Sequence, residues 1–208
     1  MFFFHVLTFG CKVNQYESQA QREAWTALGG IECEKPEDAD IILLATCAVT
    51  AEAVSDARQA ARKLARIAPD ARLAVTGCAA SVAPEDFRLP SLAALVPQSS
   101  RELLLKKDPQ ELLTDASPFV CREKIFSGRR PYPEFHITSF RRARPVLKVQ
   151  DGCSHFCTYC IVPITRGPSC SREPVEVLDE AKRLLNAGYR GIMISGVNLR
   201  QYHASGQN

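Results

Sequence analysis

Three strand-like segments of this sequence each lead into a cysteine and then into a helix-like segment, and this repetition constrains the fold more than any other feature. The segments with their cysteines are residues 2–9 with Cys11, 41–46 with Cys47, and 72–76 with Cys78. Alternating strands and helices predict a parallel sheet with right-handed crossovers. Because the carboxyl ends of parallel strands lie at one edge of the sheet, we expect the three thiols to meet there and to hold a metal cluster.

The ordinary alternative for each of these cysteines is a small buried apolar side chain. Cys33, Cys121 and Cys170 lie at no comparable strand end, and we interpret them as structural or incidental. Between the strands, Asn14 is expected to cap a helix that ends near residue 28, with Glu17 completing a capping box.

A second set of thiols lies within eight residues, at Cys153, Cys157 and Cys160. Thiolates are soft ligands that suit iron-sulfur clusters, and three of them leave one iron of a cube open to a substrate or cofactor. Two alternatives are a zinc site that borrows His155 and thiols that are unligated or form disulfides. The spacing favours the cube.

The later part of the chain predicts a second domain that begins with a strand at 144–149. A helix from Pro174 to Gly188 and a strand at 191–195 follow it. A closed eight-unit barrel needs about 250 residues, so a chain ending at Asn208 is expected to be a fragment or to carry an incomplete second domain. The predicted boundaries are 1–120 for the amino-terminal domain, 121–143 for a basic linker and 144–208 for the second domain.

The composition is that of an ordinary globular protein, with 46% hydrophobic and 24% charged residues. No apolar run is long enough to span a bilayer, and the amino terminus lacks the basic region of a signal peptide. Nine cysteines are an odd number and fit poorly with a disulfide framework. We therefore expect a cytoplasmic protein whose cysteines bind metal.

A basic stretch with interleaved aromatic residues precedes the second set of thiols. Its basic residues are Arg122, Lys124, Arg129, Arg130, Arg141, Arg142, Arg144 and Lys148, against Glu123 and Glu134; its aromatic residues are Phe126, Tyr132, Phe135 and Phe140. This composition suits a phosphate backbone with bases stacked nearby. The alternative is a solvated interdomain linker stiffened by prolines.

The second set of thiols, with the aromatic Tyr159 directly before Cys160, resembles the signature of radical S-adenosylmethionine (SAM) enzymes. Its flanks, residues 149–153 and 161–167, resemble the methylthiotransferases of that group. Residues 10–18, 46–50 and 76–78 are similar to the amino-terminal domain of the same family, and the string Cys-Lys-Val-Asn-Gln at 11–15 most resembles the branch acting on threonylcarbamoyladenosine in tRNA. Ala45 and Ala79-Ala80 depart from the family's pattern.

The resemblance implies an α/β fold, in which a parallel-sheet amino-terminal methylthiotransferase domain precedes an incomplete radical SAM (β/α) partial barrel. It also implies SAM and two 4Fe-4S clusters as cofactors. Cys153, Cys157 and Cys160 would hold the cluster that cleaves SAM to a 5′-deoxyadenosyl radical, and Cys11, Cys47 and Cys78 an auxiliary cluster that delivers a methylated sulfur. The residues expected near SAM are Tyr159, Ser195, Gly196 and Asn198.

The activity that the resemblance implies is insertion of a methylthio group at C2 of the modified adenosine next to the anticodon, with no side chain acting as a general base. Expected partners are tRNA and a low-potential reductant such as flavodoxin, with no membrane, and the chain is expected to be a monomer. The alternatives are a methylthiotransferase for isopentenyladenosine in tRNA or for a ribosomal protein, and a non-catalytic iron-sulfur or RNA-binding fragment.

Overall fold

A computed structural model describes residues 1–121 and 131–204. The strands are β1 (Phe2–Thr8), β2 (Gly30–Glu32), β3 (Ile41–Thr46), β4 (Arg72–Gly77), β5 (Leu92–Pro97), β6 (Phe119–Val120), β7 (Val146–Asp151), β8 (Cys170–Ser171) and β9 (Met193–Gly196). The helices are α1 (Lys12–Ala27), α2 (Ala51–Ile67), α3 (Cys78–Val82), α4 (Leu103–Lys106), α5 (Pro109–Thr114), α6 (Val162–Arg166) and α7 (Pro174–Asn186). Within these two ranges no helix has both the length and the apolar character to cross a membrane.

The first sheet has six parallel strands in the order β2-β1-β3-β4-β5-β6. The chain passes from β1 to β2 on one side and then crosses to β3 on the other side of β1, so the strand order reverses between β1 and β3. Strands β3 and β5 are buried along their whole length, as strands covered on both faces are. Ligands of such sheets bind beyond the carboxyl ends of the strands at the reversal.

Helix α1 starts differently from the prediction. It begins at Lys12, and its N-cap residue is Cys11, whose side chain makes no capping bond. Asn14 lies in the first turn and donates its side-chain amide to the carbonyl of Phe9 at 2.5 Å. Glu17 is fully buried. The predicted capping box is therefore wrong, because both side chains bind groups outside the helix.

Helix α2 has a regular N-cap and an amphipathic face. The hydroxyl of Thr50 caps it by accepting the backbone N–H of Ala53 at 3.1 Å. Ala57, Ala61 and Leu64 lie at helical spacing on one face and are buried in the core under the first sheet. This amphipathic packing fixes the crossover between β3 and β4, and with it the turn that follows β3.

The second sheet has three strands among the described residues, in the order β8-β7-β9. Strand β7 is fully buried at the centre, parallel to β9 and antiparallel to β8. Helix α7 starts at Pro174, as predicted, and buries Leu184. An all-parallel sheet followed by a smaller mixed sheet confirms the predicted α/β fold class with its partial barrel.

Two apolar cores cover the two faces of the first sheet, and a third joins helix α1 to the second sheet. Its buried members are Tyr16, Ala20, Phe135, Ile137, Val146 and Leu184. The hydroxyl of Tyr16 donates to the carbonyl of Phe135 at 2.8 Å within this core. Helix α1 therefore contacts strands of both sheets.

Candidate functional site

The first three predicted cysteines follow adjacent strands of the first sheet. Cys11 follows β1, Cys47 follows β3, and Cys78 begins α3 directly after β4. Strand β3 pairs with both β1 and β4, so the three turns lie side by side at the reversal of strand order. Cys47 and Cys78 are buried, Cys11 is exposed, and all three thiols are free. The predicted convergence at one sheet edge is the arrangement found.

A cavity of about 530 Å³ opens over this edge. The residues that line it from the first domain are Cys11, Lys12, Val13, Asn14, Thr46, Cys47, Val49 and Cys78, and those from the second domain are Ile161, Val162, Arg166, Ser195, Gly196 and Val197. Both domains therefore form its walls. Two of the residues predicted to lie near SAM, Ser195 and Gly196, are among them.

A glycine in the left-handed backbone region directly precedes three of the six predicted ligands. Gly10, Gly77 and Gly152 have φ values of +94°, +105° and +69°. A Cβ on Gly10 would lie 2.5 Å from the Cβ of Cys47, and one on Gly77 would lie 2.3 Å from the carbonyl oxygen of Thr46. Only glycine fits such close backbone approaches, so these turns hold their cysteines in a fixed place.

Polar side chains tie the strand-end turns together. The hydroxyl of Thr46 donates to the carbonyl of Thr76 at 2.7 Å and accepts the backbone N–H of Ala80 at 3.3 Å. The amide of Asn14 donates to the carbonyl of Thr46 at 3.3 Å as well as to Phe9. Hydrogen bonds of this kind hold metal-binding side chains in place before the metal binds.

Residues of helix α6 contact the first thiol site from the second domain. Burial raises the pKa of the Cys78 thiol, while the positive charge of Arg166 and a hydrogen bond with Thr165 act in the opposite direction. Thr165 is fully buried, and Arg166 lines the cavity. Residues of both domains therefore surround the thiol of Cys78 and affect its pKa.

Five buried ionised side chains, here called the ion cluster, contact one another. They are Glu17, Arg101, Lys148, Asp151 and Arg166, of which Arg166 lines the cavity. Glu17 accepts from Lys148 at 2.6 Å, from Arg166 at 2.8 Å and from Arg101 at 3.0 Å. Asp151 pairs with Arg166 at 2.9 Å and with Lys148 at 3.0 Å. Burial alone would raise the pKa of Glu17, but its three cationic partners hold that pKa well below its usual range.

The second set of thiols lies on a loop between β7 and α6. The backbone N–H of Cys153 donates to the carbonyl of Gly167 at 3.1 Å, and that of Cys160 donates to the carbonyl of Cys157 at 3.0 Å. The side-chain amide of Asn198 lies 3.5 Å from the sulfur of Cys153. This contact places one predicted SAM residue beside the loop.

The aromatic side chains of this loop point outward. Tyr159 is 90% exposed and Phe156 is 70% exposed. Phe156 also has a φ of +46°, which a bulky side chain seldom adopts. Such exposure and backbone strain are typical of a loop whose side chains contact a ligand.

The donor chemistry of both sets of thiols fits iron-sulfur cubes. Each set consists of three free cysteines, and thiolates are the soft ligands that such clusters take. Three thiolates leave one iron of a cube open to a further ligand.

Two described residues of the basic stretch, Lys148 and Phe135, differ from its predicted role, whereas Arg141, Arg142 and Arg144 are exposed. Lys148 is fully buried in the ion cluster, and Arg141 pairs with Glu32 at 2.7 Å. Phe135 is buried in the third core, and the hydroxyl of Tyr132 donates to the carbonyl of Lys148 at 2.8 Å. The ring of Phe135 is therefore not exposed for stacking on bases. The other part of the stretch, Arg122, Glu123, Lys124, Phe126, Arg129 and Arg130, lies outside the described residues.

Two family models match the chain in succession. The uncharacterized protein family UPF0004 matches residues 3–95, and the Radical SAM superfamily matches residues 147–202. The first match contains the three strand-end cysteines, and the second contains the loop from Cys153 to Cys160. Each candidate site therefore lies within a recognised family region.

Curated relatives match nearly the whole chain. A threonylcarbamoyladenosine tRNA methylthiotransferase of Chlamydia pneumoniae is 41% identical over 201 residues, covering 96% of this chain and 44% of that protein. Its namesake in Bacillus subtilis (strain 168) is 35% identical over 197 residues, covering 94% of this chain and 43% of that one. A tRNA-2-methylthio-N(6)-dimethylallyladenosine synthase of Roseobacter denitrificans is 36% identical over 212 residues, with coverage of 97% and 46%.

The chain thus spans about half the length of the curated relatives it matches. The two family regions follow one another in the expected order, and they coincide with the two sheets of the structure. Radical SAM proteins use SAM with a 4Fe-4S cluster, in keeping with the thiols at 153–160. The chain belongs to the radical SAM methylthiotransferase family.

Proposed function

We propose that the chain is the cluster-bearing part of a tRNA methylthiotransferase with two 4Fe-4S clusters. Cys153, Cys157 and Cys160 hold the SAM cluster, and Cys11, Cys47 and Cys78 hold the auxiliary cluster. The observation that carries the proposal is the shared cavity, in which the strand-end thiols face the turn after β9. A sulfur donor and a SAM site must act on the same nucleoside, and one cavity walled by both domains supports that requirement.

The residues around the second loop have positioning roles in this proposal. A bound cluster with one open iron supplies the coordination site and the low-potential electron for SAM cleavage. The backbone N–H of Asn198 donates to the side-chain oxygen of Gln150 at 2.8 Å, which holds Asn198 beside Cys153. Ser195 and Gly196 form the wall next to it, and Tyr159 is free to close over the adenine of SAM.

The first site is buried on the side of Cys47 and Cys78 and open on the side of Cys11. Cys47 and Cys78 are buried, and Val13, Val49 and Ile161 add apolar surface to the cavity. An apolar wall keeps water from competing for an open iron and protects a reactive intermediate from side reactions. Only Cys11 is exposed, so we propose that substrate approaches the auxiliary cluster from its side.

The proposed substrate is threonylcarbamoyladenosine in tRNA. The string at residues 11–15 supports it, as do two relatives named for that nucleoside. A relative named for dimethylallyladenosine matches at a similar identity, so that nucleoside is the second candidate. Mass spectrometry of tRNA nucleosides from a strain lacking the gene separates them: the methylthio group disappears from threonylcarbamoyladenosine alone, whereas its loss from dimethylallyladenosine would favour the second candidate.

A non-catalytic RNA-binding fragment is the rival from outside the enzyme class. Filter binding to tRNA across a salt series measures the phosphate contacts, since affinity falls with salt in proportion to their number. The proposed enzyme also cleaves SAM when a reductant such as flavodoxin is supplied. Steep salt dependence without any SAM cleavage by the reconstituted protein would support the rival. The monomeric state, the cytoplasmic location and the domain boundaries stay predictions from the sequence.

A further inference from the structure

One side chain of the ion cluster belongs to both the interior and the cavity. The guanidinium of Arg166 donates to Glu17 at 2.8 Å and 3.2 Å, and to Asp151 at 2.9 Å. Its side chain is 4% exposed, and it also lines the cavity that holds the three strand-end thiols. Arg101 and Lys148 belong to the same ion cluster and do not line that cavity.

The ion cluster contains more positive than negative charge. Arg101, Lys148 and Arg166 are cations, while Glu17 and Asp151 are the carboxylates that they contact. A buried charge without a counter-charge is costly, so an anion is expected close to the excess. The thiol groups of the cavity are the candidates, because Arg166 acts electrostatically on Cys78 and also lines the cavity, whereas Arg101 acts on Cys78 and Cys11 from outside it.

We propose that Arg166 is a positioning residue of the site formed by Cys11, Cys47 and Cys78, and that its charge balances the anionic cluster these thiolates hold. The inference rests on the proposed function, since it requires the auxiliary cluster. Three thiolates give a cube a negative charge, and nearby charge sets the reduction potential of such clusters. Arg166 therefore favours the reduced cluster and keeps its thiolate ligands bound.

The second domain completes the first site in this way. Helix α6 brings Arg166 to the cavity and Thr165 to Cys78, and the bonds of Arg166 to Glu17 on α1 hold the helix there.

The test uses the full chain carrying Cys153, Cys157 and Cys160 changed to alanine, so that any iron belongs to the first site. Lys148→Gln is the matched control for Arg166→Gln, because Lys148 contacts the same two carboxylates from outside the cavity. We expect Arg166→Gln to lower the reduction potential of the cluster by about 59 mV. At a fixed applied potential, this raises the ratio of oxidised to reduced cluster about tenfold. Lys148→Gln is expected to change it less than about threefold.

A redox titration followed by electron paramagnetic resonance gives the ratio, and Arg166→Lys is expected to recover most of the shift because it restores the charge. Equal shifts in Arg166→Gln and Lys148→Gln, or no shift in either, would overturn the inference. A parent protein without iron would instead overturn the proposed first site, which separates the two failures.

A second measurement applies where Arg166→Gln does not fold. Arg166→Lys keeps the charge and loses the planar fork that spans Glu17 and Asp151. Its restored charge should preserve the reduction potential, but loss of the fork should loosen helix α6 over the site, so iron loss to a chelator is expected to be about tenfold faster in Arg166→Lys than in Lys148→Arg. Equal rates of iron loss in the two variants would contradict the role of Arg166.

Discussion

The two thiol sites are built in opposite ways. Cys11, Cys47 and Cys78 are far apart in sequence and are brought together by three parallel strands, glycine turns and a buried ion cluster. Cys153, Cys157 and Cys160 lie on one short loop with exposed aromatic side chains. The arrangement of the first site depends on the whole fold, whereas the arrangement of the second depends on the short spacing between its three cysteines. Changes in the scaffold should therefore damage the first site far more than the second.

The largest effect is expected from Glu17→Gln. The substitution removes the charge that Arg101, Lys148 and Arg166 share and leaves these cations buried without it. Breaking a buried pair from one side costs about 3–5 kcal/mol of the free energy of unfolding. Urea unfolding followed by the fluorescence of Trp25, the single tryptophan, measures it.

Asp86→Asn is the control for this prediction. Asp86 lies 3.8 Å from Arg58, and both side chains are about a third exposed. Exposed pairs of this kind contribute about 0–1 kcal/mol. A loss in Glu17→Gln no larger than in Asp86→Asn would show that the ion cluster does not hold the two domains together.

The next largest effect is expected from Gly77→Ala. A Cβ there would lie 2.3 Å from the carbonyl oxygen of Thr46, at a φ of +105°. The backbone must shift, and we expect a loss of about 2–3 kcal/mol together with a large loss of iron from the first site only. Iron analysis and thermal unfolding check both parts.

Gly29→Ala serves as its matched control. Gly29 has a φ of +85°, and a Cβ on it would meet no atom within 4 Å. The expected loss is about 1 kcal/mol from backbone strain alone, with normal iron content. If both variants lose iron equally, the close approach between the turns of Cys47 and Cys78 is not what positions the first site.

Acid should lower the free energy of unfolding in a pH range that the pKa of Glu17 determines. The pKa of Glu17 is lowered in the folded protein, so its contribution to stability is complete above the unfolded value of about 4.3. That contribution is lost as the pH falls from there toward the folded value. Between pH 5 and pH 3, we expect the unfolding free energy of the wild type to fall more steeply than that of Glu17→Gln.

Chemical unfolding at several pH values gives the slope of unfolding free energy against pH for the wild type and for Glu17→Gln. Glu180 also has a lowered pKa, with burial opposed by its bonds to His136 and Arg172, and it contributes equally to both proteins. The difference between the slopes therefore reports Glu17. Parallel slopes would contradict a charged Glu17 in the folded protein.

The smallest effect on stability is expected from Tyr159→Ala on the second site. Tyr159 is 90% exposed, so its removal should change the free energy of unfolding by less than about 0.5 kcal/mol. We expect SAM affinity to fall about tenfold, about 1.4 kcal/mol, if the ring closes over the adenine. Calorimetric SAM binding with unchanged affinity would remove Tyr159 from the proposed site.

The sequence predicted what local patterns determine. The apolar strands and the helix from Pro174 depend on neighbouring residues, and the structure confirms them. The convergence of Cys11, Cys47 and Cys78 followed from the geometry of parallel strands. A further signal was present in the pairs Gly10-Cys11, Gly77-Cys78 and Gly152-Cys153, which mark turns with positive φ.

Long-range polar contacts could not be predicted in the same way. The partners of Glu17 lie 84, 131 and 149 residues away, so its position three residues after Asn14 suggested a local cap instead. Lys148 looked like part of a solvent-facing basic stretch until its buried carboxylate partners were known. Such contacts depend on how the two sheets dock. The hydrophobic periodicity of the sequence does not predict that docking.

Iron and sulfide per chain after anaerobic reconstitution test the central claim most directly. The wild type should hold about eight irons, which is two cubes. The variants Cys11/Cys47/Cys78→Ala and Cys153/Cys157/Cys160→Ala should each hold about four. Zinc in place of iron, or a first variant that keeps all of its iron, would contradict the account of two separate cluster sites.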